Sequence, residues 1–325
     1  MPTVSLIIVN WNGASYIEKC VQSLLELDYE NFEITIIDNN SSDNSVELLK
    51  TKFPNLKIIV NSENLGFAPA CNIGIRASNS TFIGLFNSDA IADANWLKEL
   101  VTALLNSDHA GAATGPIYYY SPSTKIWFNG GKVDTFSGFF WHVDQNSYQF
   151  SNTREFDTFT GCAVLLRRSA LEKIGLLDED YFLYSEDVDL SISIQRLGLD
   201  LLFVPSAVSW HMVSASKELV PFFAYEQKIS NDIRVILKNF PLKYVFSALF
   251  FRGIILPISE ALYFYRNPRL LLFVLKAFER NLKNMRKTIR ARVHMDSIGK
   301  APLKNRFREA IHEATKRLLE KKLYW

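Results

Sequence analysis

The chain has little cysteine, and its three cysteines are spread too widely to hold a metal or form a disulfide framework. Cys20, Cys71 and Cys162 are odd in number and lack the short spacings of zinc sites. This usage suits a reducing compartment and offers no good nucleophilic thiol. The start Met1–Ser5 also lacks the basic and apolar regions of a signal peptide, so we expect a cytoplasmic protein.

The sequence also lacks an uninterrupted apolar run of the ~18 residues that a membrane-spanning helix needs. Between Leu242 and Phe278 it is strongly apolar and aromatic, but charged residues and prolines interrupt it. From Lys276 to Trp325 there are 15 Lys or Arg against 5 Asp or Glu, although the whole chain carries only +2. These features predict helices lying in a membrane interface beside a basic, lipid-binding segment. A dimer interface or a helical cap on the preceding domain is the alternative. Nucleic-acid-binding motifs are absent, so no nucleic-acid partner is expected.

Apolar, β-branched segments alternate with amphipathic ones in the first half of the chain. The predicted strands are Val4–Val9, Ile34–Asp38, Leu56–Val60, Thr81–Phe86 and Thr158–Leu166. Such strands, separated by helices, predict an α/β fold with a mostly parallel central sheet covered on both faces. The aromatic stretch Tyr118–Phe156 predicts strands and loops that cover the site, and the pattern after Lys217 is helical. We therefore predict an α/β domain over residues 1–215 and a helical region over residues 216–325.

Polar residues stand where the predicted strands end. Asn10, Asp38 and Asp89 all occupy this position, and ligands of parallel sheets bind beyond the carboxyl ends of the strands. One such residue alone would be an ordinary turn residue, but three at corresponding positions predict a ligand site. A second acidic cluster, Tyr184–Leu190, and the lone His211 add carboxylates and an imidazole. Together they indicate a metal-assisted transfer site in which one carboxylate is the general base.

The order of these motifs resembles glycosyltransferase family 2, especially its bacterial rhamnosyltransferase-like branch, over roughly residues 3–215. The matching segments are Ile8–Asn12, Ile37–Asp43, Asn64–Ala68, Asn72–Gly74, Asn87–Asp89, Gly161, Gly175–Glu179, Glu186–Leu190, Pro205–Ala207 and His211. The resemblance implies a nucleotide-sugar-binding domain of the type called GT-A.

The resemblance also implies roles for individual residues. Val9, Asn10 and Asp38 would hold the base and ribose, with the Asp38 carboxylate accepting from a pyrimidine imide N–H. The other residues implied in nucleotide-sugar binding are Asn64, Gly66, Phe67, Asn72, Asn87 and Ser88. Asp89 corresponds to the metal-binding acid of the family's Asp-x-Asp motif, and His211 to a further ligand of Mg²⁺ or Mn²⁺. Position 87 is Asn where that motif has Asp, which lowers the negative charge at the metal. Asp187 corresponds to the catalytic base, with Glu186 beside it.

An inverting, metal-dependent glycosyltransferase follows from these roles. Asp187 would deprotonate an acceptor hydroxyl that attacks the anomeric carbon opposite the departing diphosphate. The pattern favours rhamnose from dTDP-rhamnose, and a glycan or lipid-linked acceptor of cell-surface polysaccharide synthesis. Galactofuranosyl, glucosyl and mannosyl donors stay open. We expect a peripheral protein on the inner face of the cell membrane, and the helices would alternatively form a homo-oligomer.

Three other classes of protein fit the same residues less well. A nucleotidyltransferase would place a Gly-rich, basic phosphate loop after the first strand, where Asn10–Gly13 contains no Lys or Arg. A non-catalytic nucleotide-sugar- or glycan-binding module would lack an acid at position 89 or 187, and both acids are present. A membrane-surface scaffold leaves the clustered acids unexplained. The glycosyltransferase hypothesis is therefore preferred.

Overall fold

The computed structural model describes residues 1–143, 156–213, 221–260, 269–300 and 303–319. The strands in this part of the chain are β1 (Val4–Asn10), β2 (Phe32–Asp38), β3 (Lys57–Val60), β4 (Phe82–Asn87), β5 (Ala90–Ala92), β6 (Ala110–Thr114), β7 (Ile117–Tyr119), β8 (Ile126–Phe128), β9 (Gly131–Val133), β10 (Phe140–His142), β11 (Ala163–Arg167), β12 (Asp200–Phe203) and β13 (Ser209–His211).

The helices alternate with strands at first and then follow one another. They are α1 (Ile17–Leu25), α2 (Ser45–Lys52), α3 (Phe67–Arg76), α4 (Trp96–Leu105), α5 (Arg168–Ile174), α6 (Glu186–Arg196), α7 (Pro221–Asn239), α8 (Leu242–Phe250), α9 (Leu256–Ser259), α10 (Leu270–Lys283), α11 (Met285–Ile298) and α12 (Phe307–Leu319). A π-helical turn, Phe251–Ile255, joins α8 to α9.

The central sheet has seven strands in the order β12-β6-β11-β4-β1-β2-β3. β4, β1, β2 and β3 are mutually parallel, and β12 is parallel to β6. β11 is antiparallel to both of its neighbours. The predicted α/β fold with a mostly parallel central sheet is therefore confirmed. β11 is the exception to the parallel arrangement. The chain reaches it from the small strands β7–β10, whereas a parallel strand requires a crossover connection, usually a helix.

Both faces of the sheet are covered, as the unbroken apolar character of β1 predicts. Leu6 and Ile8 point into one core, together with side chains of α1 and α4. Ile7, between them, points into the other core, with residues of α3 and α6. The period of two along the strand thus divides a continuous apolar run between two hydrophobic clusters.

The C-terminal helices share the second of these cores. Val235 and Ile236 of α7, and Phe240 directly after it, lie in the same buried cluster as Ile7 of β1. Further along, the guanidinium of Arg306 forms an ion pair of 3.0 Å with Asp157. The helical region therefore packs on the α/β part of the molecule, while the division at residues 215 and 216 stays a prediction.

A four-stranded sheet in the order β5-β13-β7-β8 lies beside the central one. β13 is antiparallel to β5, with His211 opposite Ala90, and parallel to β7. Residues 118–143 form short strands and loops, as the sequence predicts, and residues 144–155 of that stretch lie outside the described residues. The pairing of β13 with β5 thus brings His211 close to the end of β4.

One helical stretch among the described residues, Leu242–Ser259, has the length and composition of a membrane-spanning helix. Its mean hydropathy is 1.4, and 22% of it is buried within the protein. It contains two charged residues, Lys243 and Arg252, so its apolar run is interrupted as the sequence indicates. Length and composition alone would let this stretch cross a membrane, and its placement in the membrane interface stays a prediction.

Candidate active site

The carboxyl ends of β1 and β2 are joined by a buried polar network. Asn10 lies opposite Asp38 in the parallel register, and its amide donates to the Asp38 carboxylate at 2.7 Å. The same carboxylate accepts from the hydroxyl and main-chain N–H of Ser41, at 2.6 and 2.9 Å. Because Asp38 has no exposed surface, it holds the two loops together in this structure. Its contact with a nucleotide base stays a prediction.

The end of β1 also adjoins the end of β4. Val9, which is half-buried, lies opposite Asn87 in the parallel register. Asn87 is half-buried as well, whereas Ser88 after it is buried. These residues, predicted to contact the nucleotide sugar, therefore lie together with Asn10 at one edge of the sheet.

The loop before α3 packs against the segment that precedes the acid pair. Gly66 has φ +86°, and a Cβ there would lie 2.4 Å from the carbonyl oxygen of Phe182. That carbonyl accepts from the N–H of Phe67 at 2.7 Å, while the Asn64 side chain accepts from the N–H of Gly66 at 3.0 Å. Only glycine combines this backbone conformation with so close an approach. The predicted nucleotide loop and the acid motif are thus in direct contact.

The side chain of Asn72, in α3, forms hydrogen bonds with the loop that follows α5. Its amide group donates to the carbonyl of Leu177 and to the carboxylate of Glu179, each at 2.9 Å. Its oxygen accepts from the N–H of Leu177 at 3.1 Å, and the residue is 1% exposed. Both amide hydrogens are used within the protein. Asn72 thus braces α3 against the loop after α5, and its predicted contribution to the nucleotide pocket stays a prediction.

Asp89 and His211 come together although 122 residues separate them in the chain. The antiparallel pairing of β13 with β5 sets His211 opposite Ala90, next to Asp89. His211 Nε2 lies 3.0 Å from Asp89 Oδ1, and both residues are less than a tenth exposed. The ring of Trp127 packs edge-on against His211, with a centroid distance of 4.3 Å. Strand register and aromatic packing thus fix the predicted metal-binding pair.

The geometry of this pair fits a divalent ion. Nε2 and Oδ1 are 3.0 Å apart, a hydrogen-bond distance that is also about the separation of adjacent ligands around an octahedral ion with bonds of ~2.1 Å. No group of three or more His, Cys, Asp or Glu residues that could hold a metal occurs among the described residues. Asp89 and His211 would therefore be the protein's two ligands. Mg²⁺ sites commonly take their remaining ligands from substrate phosphates and water.

Glu186 and Asp187 open α6. Burial, with the adjacent charge of Asp187, raises the pKa of Glu186, and its Oε2 has no hydrogen-bond partner in the described part of the chain. Burial also raises the pKa of Asp187, whose carboxylate accepts from the N–H groups of Gly161 and Val188 at 3.2 and 2.8 Å. Glu186 thus retains its proton toward neutral pH, and Asp187 is the better candidate for the ionised base.

The segment Thr160–Cys162 links the acid pair to the metal-binding pair. At one end the N–H of Gly161 donates to Asp187. At the other end the carbonyl of Cys162 accepts from the N–H of Asn87 at 2.8 Å, two residues before Asp89. A Cβ on Gly161 would lie 3.1 Å from the ring of Phe67, so this segment also packs closely against the start of α3. The two clusters therefore belong to one site.

Lys228 of α7 acts electrostatically on the acid pair Glu186 and Asp187, although its sequence context does not predict this. Its ammonium group lies 3.5 Å from Asp232, and its side chain is 19% exposed. Burial raises the pKa of both Glu186 and Asp187, and the positive charge of Lys228 opposes that rise. A single lysine in a polar helix resembles a solvated residue in sequence, so only the packing of α7 reveals it.

All three cysteines are free and buried. Burial raises the pKa of each thiol. Their expected lack of nucleophilic character agrees with this environment, because the thiolate is the nucleophile.

Comparison with known proteins identifies the family. The family model described as "Glycosyl transferase family 2" matches residues 5–175. Over 218 residues the chain is 25% identical to "Probable glycosyltransferase YdaM" of Bacillus subtilis, covering 65% of this chain and 50% of that protein. Over 214 residues it is 27% identical to the poly-beta-1,6-N-acetyl-D-glucosamine synthase of Staphylococcus aureus, with the same two coverages. The chain thus spans about half the length of these curated relatives.

A solved structure has the same fold at much lower sequence identity. It is the mannosyltransferase PcManGT of Pyrobaculum calidifontis, in complex with GDP-Man and Mn²⁺. The TM-score is 0.54 at 16% identity, covering 91% of this chain and 86% of that one. The expected GT-A fold is confirmed by this likeness, which at such identity concerns the fold alone.

Proposed function

The chain belongs to glycosyl transferase family 2, and we propose that it transfers a sugar from a nucleoside-diphosphate sugar to an acceptor hydroxyl with inversion. One observation carries the proposal: Thr160–Cys162 joins the Asp89–His211 pair to Asp187 within a single site. Such a transfer needs a group that binds the leaving diphosphate and a group that accepts a proton, and we assign these roles to Asp89 with His211 and to Asp187.

The proposed reaction is one displacement. Asp187 accepts the proton of the acceptor hydroxyl, whose oxygen bonds to the anomeric carbon as the bond from that carbon to the diphosphate breaks. The protonated carboxyl group of Glu186 is neutral, so it can donate a hydrogen bond and does not repel the incoming oxygen. Asp89 and His211 would hold Mg²⁺ or Mn²⁺, which supplies positive charge for the departing nucleoside diphosphate. The nucleotide would lie along Val9, Asn10 and the other predicted residues of that edge.

The proposed donor is dTDP-rhamnose, which is supported by the order of motifs along the chain. Purified protein incubated with dTDP-rhamnose, UDP-galactofuranose, UDP-glucose and GDP-mannose tests it through release of nucleoside diphosphate. We expect dTDP-rhamnose to react fastest, and EDTA to slow the reaction. If another nucleotide sugar reacts faster, the assignment of the donor is wrong but the protein is still a glycosyltransferase. If the wild type releases nucleoside diphosphate from none of these donors, the proposed function is contradicted.

We also propose that α8, α9 and α10 lie on an anionic membrane surface, where a lipid-linked acceptor would present its sugar. Large apolar side chains project from these helices; Leu242 is 76% exposed and Phe246 84%. Leu272 and Leu275 of α10 are more than half exposed. Exposed apolar surface of this extent marks an interaction site, and the basic residues that follow favour anionic lipid over a second copy of the chain.

Co-sedimentation with vesicles tests this placement. We expect the protein to pellet with vesicles that contain anionic lipid, and raised salt to release it, because each basic residue near the surface contributes about 1 kcal/mol. Phe246→Ser should weaken the binding, whereas Leu105→Ser, at an exposed position of α4, should not. If the protein stays in the supernatant with anionic vesicles, the membrane proposal fails and a homo-oligomer becomes the better use of these helices.

A further inference from the structure

The turn before α6 has an unfavourable backbone conformation. Tyr184 and Ser185 have φ values of +72° and +67°, in the left-handed region that residues with a Cβ seldom adopt. Two such residues in succession immediately precede Glu186 and Asp187. Neither residue is glycine or asparagine, so the local sequence does not favour this turn. Contacts from elsewhere in the fold must hold it.

Two adjacent residues of α7 supply those contacts. The Asn231 amide donates to the carbonyls of Leu183 and Tyr184, at 2.8 and 2.9 Å. The Ser185 hydroxyl donates to the Asp232 carboxylate at 2.7 Å. Each of the three residues of the turn therefore has a polar group bound to α7.

Asp232 is itself held firmly. It has no exposed surface, and its second carboxylate oxygen accepts from the guanidinium of Arg252 in the π-helical turn. Lys228, one turn earlier on α7, lies 3.5 Å from the same oxygen. The carboxylate that accepts from the Ser185 hydroxyl is thus held by one cation from the π-helical turn and one from α7 itself.

We propose that Asn231 and Asp232 are positioning residues, which clamp the turn Leu183–Ser185 and so set the place of Asp187 in the site. The inference rests on the proposed function, because Asp187 is its base. Since α6 begins at Glu186, the turn determines where the first residues of that helix point. A displacement of about 1 Å in a reacting group can reduce a rate about 10²-fold. The helical region would then complete the site, in addition to any contact with a membrane.

Asn231→Ala tests the clamp, with Asn281→Ala as its matched control. Asn281 is also a buried asparagine, and its amide donates to the carbonyl of Ser230 at 2.9 Å without touching the turn. Both variants remove the same group from the packing around α7. Ser185→Ala removes the bond to Asp232 from the other side and leaves Asp232 paired with Arg252.

We expect faster amide hydrogen exchange at residues 184–187 in Asn231→Ala and Ser185→Ala than in Asn281→Ala. In the same two variants kcat should fall about 10- to 100-fold, with calorimetric affinity for the nucleoside diphosphate unchanged. Exchange or kcat no different from that of Asn281→Ala would overturn the clamp. Should the wild type transfer no sugar, the proposed function fails on that result, and the exchange rates still decide whether α7 holds the turn.

Discussion

Acids of one short stretch of the chain have opposite environments. The Asp178 side chain is 14% exposed, yet Lys238 and Arg234 outweigh the effect of this partial burial and lower its pKa to about 2. Asp189 is bound by the same Lys238 at 2.7 Å. Glu186 and Asp187, between them in sequence, form no ion pair within 4 Å among the described residues, and burial raises the pKa of both. The paired acids attach α7 to the site, while the unpaired acids remain available for proton chemistry.

Asp187→Asn tests the unpaired group and should have the largest effect. The amide keeps the shape of the side chain but cannot accept the proton, and loss of a general base typically costs ~10²–10⁴ in rate. Nucleoside-diphosphate binding should stay near the wild-type value, because the nucleotide is predicted to lie along β1 and β2. Steady-state turnover and calorimetry measure the two quantities. A rate within a few-fold of wild type would show that Asp187 is not the base.

Lys238→Met tests the paired group. It leaves the buried carboxylates of Asp178 and Asp189 short of a cation, and breaking such a pair typically costs about 3–5 kcal/mol of the free energy of unfolding. Urea unfolding measures the loss. The control is Lys283→Met, which removes an exposed ion pair with Glu279 on α10 and should change little. Equal stability of the two variants would mean that the paired acids do not hold α7.

Asp89→Ala and His211→Ala extend the comparison to the metal-binding pair. Each removes one of the two proposed protein ligands, so each should weaken metal-supported binding of the nucleoside diphosphate by more than about tenfold, the lower bound seen even for outer-shell partners. Calorimetry with Mn²⁺ and with EDTA measures it. If wild type and variants bind equally in both solutions, the pair has no metal role, and Asn87 becomes the residue to test next.

Glu186→Gln should have the smallest effect, on the pH dependence of stability. The pKa of Glu186 is raised to about 8 in the folded protein, above the ordinary 4.5, so the folded state binds more protons between these values. Stability is therefore lost as pH rises through that window. The glutamine side chain of Glu186→Gln does not titrate. The Tm of this variant should therefore rise relative to the wild-type Tm as the pH increases from about 5 to 8. Parallel Tm curves would contradict the buried, protonated Glu186.

The sequence by itself determined five of the seven strands of the central sheet and the candidate reacting groups, whereas β6 and β12 were not predicted. Predicted strands such as Val4–Val9 and Ile34–Asp38 agree with β1 and β2 to within two residues, because an unbroken apolar, β-branched run is stable only as a doubly covered strand. Asp89 and His211 were also identified from sequence, through the order of motifs. In each case the decisive information is local, or is a residue type that the chemistry requires.

Only the tertiary structure decided which polar residues brace the fold and which are free to react. Asn10 and Asn72 are both buried and bonded within the protein, but the Asn10 amide donates to Asp38 at the end of β2, whereas the Asn72 amide donates to the loop after α5. Asp187 and Asp189 are two residues apart in the chain, yet Asp189 forms an ion pair with the distant Lys238, whereas Asp187 accepts from the N–H groups of Gly161 and Val188. Lys228 entered the site through the packing of α7. Hydrogen bonds and ion pairs between residues far apart in the chain depend on distances of a few ångströms, and those distances exist only once the helices have packed.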